Sequence, residues 1–91
     1  MSQIVLESFG QFAEFTVGWD PPIGRFFAQG VLAGEDVPAM WEHYATLSEL
    51  VRDISGCGFN LPDAVLEKLA QHGRTNSDER LMWHTTEQQL W

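Results

Sequence analysis

A five-residue break, DPPIG at residues 20–24, constrains the fold of this chain more than any other feature. Adjacent prolines cannot continue a central strand, because neither has the backbone N–H that a sheet ladder requires. Residues 12–19 alternate between two faces, which predicts a half-buried strand whose odd-numbered residues face the core. Residues 25–32 predict a second strand, so the break becomes the tip of an antiparallel hairpin. The tip is a wide loop with trans Pro22 or a type VI turn with cis Pro22, and Gly24 supplies a positive φ.

The segment after the hairpin predicts a helix with a well-defined start. Residues 46–49, TLSE, form a capping box with Thr46 as the N-cap, so the helix begins at Leu47 and ends at the glycines that start with Gly56. Residues 39–44 fit either a strand or the opening of that helix. The position of the capping box favours a short third strand.

A second helix begins near Asn60, with Pro62 in its first turn, and ends at Gly73. The apolar residues that follow are too many for a tail left in water. We expect this tail to dock on its own domain or on another chain, and Ser77 is a candidate cap for a short helix within it.

These elements predict an α+β fold: an antiparallel β-hairpin or three-stranded meander, followed by two short helices and an aromatic C-terminal tail. Residues 1–73 form a single domain and residues 74–91 the tail. With 91 residues, the chain buries a thin core that a partner or a docked terminus would complete.

The charge of the chain limits its partners. Five basic and 13 acidic residues give a net charge of −8. Nucleic-acid binding depends on clustered Lys and Arg, and the basic residues here are scattered, so the composition disfavours it. Residues 35–73 hold seven acidic and two basic residues. This segment is either a solvated surface or a docking face for a basic protein partner.

The chain carries a single cysteine, Cys57, so it cannot form an intrachain disulfide. Its cysteine content therefore does not indicate an oxidising compartment. Residues 1–10 lack the basic start of a signal peptide, and no apolar run approaches the length of a membrane span. We expect a cytoplasmic protein with no membrane partner.

The sequence carries no pattern typical of catalysis. His43, Cys57, His72 and His84 are 14, 15 and 12 positions apart, whereas structural zinc sites place ligands in close pairs. Asp20 precedes a proline and is explained as a turn initiator. We therefore predict no catalytic, cofactor-binding or metal-binding residue, no cofactor and no small-molecule substrate, and we expect that the protein is not an enzyme.

The segment GWDPPIGRFFAQ, residues 18–29, resembles a group of small uncharacterised bacterial proteins that share a hairpin of this kind. The resemblance extends over roughly residues 15–70. It implies a hairpin followed by a short strand and a helix, and it implies no activity.

A sheet face opposite the helices would expose several large apolar side chains, including Phe12 and Phe27, and such a face is typical of an interface. We predict a protein–protein interaction module that acts as a homodimer. The predicted contact residues are Trp19, Arg25, Phe27, Val31, Trp83 and Trp91. Two alternatives remain: a dimeric DNA-associated regulator of ribbon-helix-helix type, and an acidic mimic of nucleic acid that binds a basic protein.

Overall fold

The computed structural model describes residues 2–75, 79–84 and 87–91. Its elements are β1 (Ser2–Phe9), β2 (Phe12–Asp20), β3 (Arg25–Leu32), β4 (Met40–Tyr44), α1 (Leu47–Gly56), α2 (Asp63–Thr75), β5 (Arg80–His84) and β6 (Gln89–Leu90). The strands form a six-stranded sheet in the order β4-β3-β2-β1-β5-β6. The neighbours are antiparallel except β1 and β5, which run parallel.

The predicted fold class is wrong, because a hairpin or meander with two helices omits half of this sheet. The structure is a sheet-rich α+β fold with a mixed six-stranded sheet. The strands missing from the prediction are β1, β5 and β6. β1 lies between β2 and β5, and Ile4, Val5 and Leu6 within it are almost completely buried. A continuous apolar run of this kind fits a central strand, but it lacks the alternation that identifies a strand from sequence.

Locally encoded elements agree with the sequence. The β2–β3 hairpin forms, Gly24 has a φ of 61°, and residues 40–44 are a strand. The hydroxyl of Thr46 accepts a hydrogen bond from the backbone N–H of Glu49 at 3.2 Å, which confirms Thr46 as the N-cap of α1. The peptide bonds of the described residues are all trans, including the bond before Pro22.

The C-terminal segment differs from the predicted short helix. α2 extends past Gly73 to Thr75, and Arg80–His84 is strand β5. The proposed cap Ser77 lies outside the described residues. Because β5 pairs with β1, the described part of the tail is docked on its own chain.

Both helices pack on one face of the sheet. Their buried side chains Leu50, Ile54, Val65 and Leu69 share one core cluster with strand residues Ile4, Leu6, Phe15, Val17, Phe26 and Ala28. The opposite side of the sheet carries the side chains of alternate positions, such as Val5, Thr16 and Phe27. In the described part of the chain neither helix lies over this side, and we call it the open face.

A register shift moves Phe12 from its expected position. The pairing of β2 with β3 slips between Phe12 and Glu14, as in a β-bulge. The parity of the strand therefore changes, so Phe12 is in the core while Ala13 is exposed. The expectation that Phe12 lies on the open face and Ala13 in the core is wrong for this reason.

Candidate functional site

The central row of the open face runs across the whole sheet. From β4 to the residue after β6 it comprises Trp41, Gln29, Thr16, Val5, Met82 and Trp91. Trp91 joins this row because its backbone exchanges two hydrogen bonds with Met82, at 2.8 and 3.1 Å. With a strand spacing of about 4.8 Å, the two tryptophans are about 24 Å apart along the row.

The two tryptophans frame the open face and are exposed to solvent. Trp41 is 59% exposed and Trp91 is 55% exposed, whereas Val5 and Thr16 between them are buried. The ring of Trp91 stacks on His84, with 3.3 Å between ring centroids and 12° between the planes. This stacking holds Trp91 against the sheet, so that one side of its indole remains available for contact.

The side chains at the base of the open face, which we call its floor, are shielded from solvent by their own strand neighbours and need no covering element. Phe27 is 4% exposed, and its ring occupies the space left by Gly18 on the neighbouring strand. The His43 ring lies beside it at 6.4 Å. Phe27 therefore offers little area to a partner, and the contact area of this face comes from the side chains around it.

Charges on the open face are divided between its two ends. At one end Arg25 lies opposite Asp20, and Arg80 lies beside Gln3. At the other end Glu7 lies directly opposite Glu14, and both side chains are exposed. Like charges facing each other across a strand pair are destabilising. Such a pair suits a partner that brings a cation to it.

The predicted contact residues fall on two sides of the sheet. Arg25, Val31 and Trp91 lie on the open face and Phe27 lies in its floor, as the register of β3 and the pairing of Trp91 require. The remaining two, Trp19 and Trp83, lie on the helix side, where both pack against the core cluster.

Sequence reasoning missed Trp41 as a surface residue. Tyr44 of the same strand is in the core, so alternation along β4 places Trp41 and His43 on the opposite side. The signal was therefore present in the sequence once residues 39–44 were assigned to a strand.

Among the described residues, the fold does not bring the three histidines and Cys57 together into one cluster. His43 lies on the open face, whereas Cys57 follows α1 on the helix side, so the two cannot act as a nucleophile and base pair. Within the described ranges, no three His, Cys, Asp or Glu side chains are close enough to hold a metal ion. A cavity of about 70 Å³ beside Cys57 is lined mainly by apolar side chains, among them Phe12, Met40 and Phe59.

Two polar contacts with shifted pKa values tie elements together on the helix side. Burial raises the pKa of the Tyr44 phenol, and its 2.5 Å hydrogen bond to Asp53 of α1 raises it further. His72 of α2 lies 2.9 Å from Glu79, and this hydrogen bond lowers the pKa of the Glu79 carboxyl. Both contacts join neighbouring elements of the core, and neither faces the open face.

Comparisons with family models, with curated proteins and with solved structures found no match to this chain. The resemblance noted in the sequence therefore remains a prediction. Neither helix of the described residues is long and apolar enough to cross a membrane.

Proposed function

We propose that this protein is a non-enzymatic interaction module that forms a homodimer through its open face. One observation carries the proposal: two exposed tryptophans stand at opposite edges of a sheet face whose centre is already closed. Tryptophan is enriched among the residues that dominate binding energy, and rigid aromatic side chains cost little entropy when ordered. A cytoplasmic location, predicted from the lone cysteine, is part of the same proposal.

The size of the face supports an interface that uses both tryptophans. A stable pair buries about 800 Å² from each partner, roughly 15% of the 5392 Å² surface of this chain. A contact confined to one edge would include only Trp41 or Trp91. Packing face to face about a two-fold axis includes both, and it is the simplest closed arrangement for identical chains.

Replacing both tryptophans tests this proposal. We expect Trp41→Ser combined with Trp91→Ser to weaken self-association by more than about 30-fold, because buried tryptophans at interfaces commonly contribute 2 kcal/mol or more. Light scattering after gel filtration and sedimentation equilibrium would measure the change.

Ile23→Ser combined with Val37→Ser is the matched control. These residues are also large, apolar and exposed, at 52% and 67%, but they lie in the β2–β3 turn and the β3–β4 loop. We expect this variant to dimerise like the parent chain. A parent chain that stays monomeric at high concentration would contradict the proposed homodimer.

A second candidate function concerns the acidic residues of the segment 35–73. The seven carboxylates of residues 35–73 are all exposed. Their density supports an acidic surface that docks a basic protein. A pull-down whose captured partner is lost as salt rises would favour this function, and a salt-independent partner would count against it. The ribbon-helix-helix alternative receives less support, because it assumes one strand before two helices and this chain has four strands before α1.

A further inference from the structure

The charges of the open face bear on how two copies would be arranged, an inference that rests on the proposed homodimer. Two sheets packed face to face are related by a two-fold axis lying between them. In aligned packing, where the strands of the two sheets stay within about 30° of each other, the axis runs either along the strands or across them. The two choices bring different side chains together.

An axis along the strands gathers like charges. With this axis, the same ends of the two faces lie over each other, and the order of the strands across the sheet is reversed. β2 therefore lies over β1 of the other copy. Glu14 then stands over Glu7 of the partner subunit, and the symmetric contact repeats this. Four carboxylates meet at one end, while at the other end Arg25 comes near Arg80 of the partner subunit because β3 lies over β5. Juxtaposed like charges at an interface weaken association.

An axis across the strands brings opposite charges together. When it passes through the central row, β5 lies over β5 of the other copy with its direction reversed. Arg80 then stands above His84 of the partner subunit, about 4.8 Å to the side of Glu7 of the partner subunit. An arginine side chain spans that offset easily. The end that carries Arg25 likewise turns toward the end that carries Glu14.

We propose that the open faces of two copies pack with their strands antiparallel, and that Arg80 of each chain pairs with Glu7 of the partner subunit. The two symmetric ion pairs supply a cation to the Glu7 and Glu14 pair, which has no ion-pair partner among the described residues of its own chain. The central row lies on the axis, so each tryptophan packs near its own equivalent. The charges thus select one of two arrangements that the apolar surface alone would permit.

Charge reversal at the two proposed partners tests the arrangement. We expect R80E alone and E7R alone each to weaken self-association by about tenfold or more, because each variant faces two like-charged contacts. An equimolar mixture should recover dimers, since the R80E carboxylate meets the E7R guanidinium and the native Arg80 meets the native Glu7. Sedimentation velocity at low ionic strength would measure all three, with circular dichroism to check that each variant is folded.

The matched controls are R52E on α1 and E67R on α2, which make the same charge changes at exposed positions on the helix side. We expect both to dimerise like the parent chain, alone and mixed. The neutral variants R80Q and E7Q should weaken the dimer by a smaller factor than the reversals.

Two results would overturn the inference in distinguishable ways. If E7R and R80E both tighten the dimer, the axis runs along the strands, and the proposed homodimer survives with a different arrangement. If the parent chain is monomeric under every condition, the homodimer itself is wrong.

Discussion

Phe27 is buried on an uncovered face because Gly18 on the neighbouring strand has no side chain. A Cβ atom at Gly18 would stand 2.7 Å from two ring atoms of Phe27, and closer still to the backbone oxygen of Ser2. Glycine in a strand interior ordinarily weakens the strand. Here the volume that it leaves empty is filled by a phenylalanine ring, so adjacent Phe26 and Phe27 are both buried on opposite faces of β3.

Gly18→Ala should therefore destabilise the protein. Overpacking a filled site commonly costs about 1–3 kcal/mol, and we expect a value at the upper end because one of the clashing atoms belongs to the backbone. Urea denaturation would measure the free energy of unfolding. Gly56→Ala is the control: it lies at the end of α1, where an added Cβ would meet no other atom within 4 Å, and we expect it to be neutral or slightly stabilising. Equal stability of the two variants would show that the Phe27 ring can move aside freely.

At the scale of elements, β5 is fixed by more than its pairing with β1. Glu79 immediately precedes β5 and hydrogen bonds to His72, which is 1% exposed and lies in α2. Lys68 of the same helix is 3.8 Å from the same carboxylate. The contact ties the entry of the last hairpin to the helix layer, and the pKa of the Glu79 carboxyl is lowered mainly by the His72 hydrogen bond.

This contact predicts a pH-dependent contribution to stability. The folded pKa of Glu79 lies below the ordinary value of about 4.3, so its stabilisation is present above that value and is lost as the pH falls through the folded pKa. We expect Glu79→Gln to be less stable than the parent chain near neutral pH, with the difference shrinking as the pH falls through the lowered pKa of Glu79. Urea midpoints at several pH values would measure this. Glu67→Gln, on the exposed side of α2, should show no such trend, and a pH-independent effect of Glu79→Gln would contradict the assignment.

The elements that could be predicted are those whose signals are local. The prolines of the hairpin tip, the capping box at Thr46 and the placement of residues 39–44 depend on neighbours a few positions away. The formation of β1 and β5 as strands depends on their pairing with each other. In that pairing Ile4 lies next to Leu81, which comes from the opposite end of the sequence. No periodicity within either segment contains that information, and the short apolar run around Trp83 fits a helix equally well.

At the scale of the whole molecule, the candidate site could be predicted only in part. Alternation along β3 placed Arg25 and Val31 correctly on one face, because their strand is regular. The predicted contact residues Trp19 and Trp83 pack against the core, and the position of Trp83 depends on strand β5, which the sequence does not predict. The bulge near Phe12 changes which face of the sheet the preceding residues of β2 point to, and no residue type there indicates a bulge.

Removing the last two strands should abolish folding. A chain that ends at residue 78 would leave β1 as an open edge and uncover Ile4 and Leu6, which are 0% and 1% exposed. We expect it to lack a cooperative thermal transition. Removing only residues 87–91 costs the two-residue edge strand β6, and we expect a folded protein with a lower midpoint. Cooperative unfolding of the chain that ends at residue 78 would instead support residues 1–73 as a domain that folds by itself.

The parallel pairing of β1 with β5 also determines when the sheet can be completed during synthesis. Because ribosomes add about 5–20 residues per second, the roughly 80 residues between Ile4 and its neighbour Leu81 take on the order of 4–16 s to make. During that interval the strand that carries Ile4, Val5 and Leu6 has an unpaired edge. Slow translation thus lengthens the exposure of β1 to aggregation or to capture by a chaperone, although the finished protein buries that strand between two others.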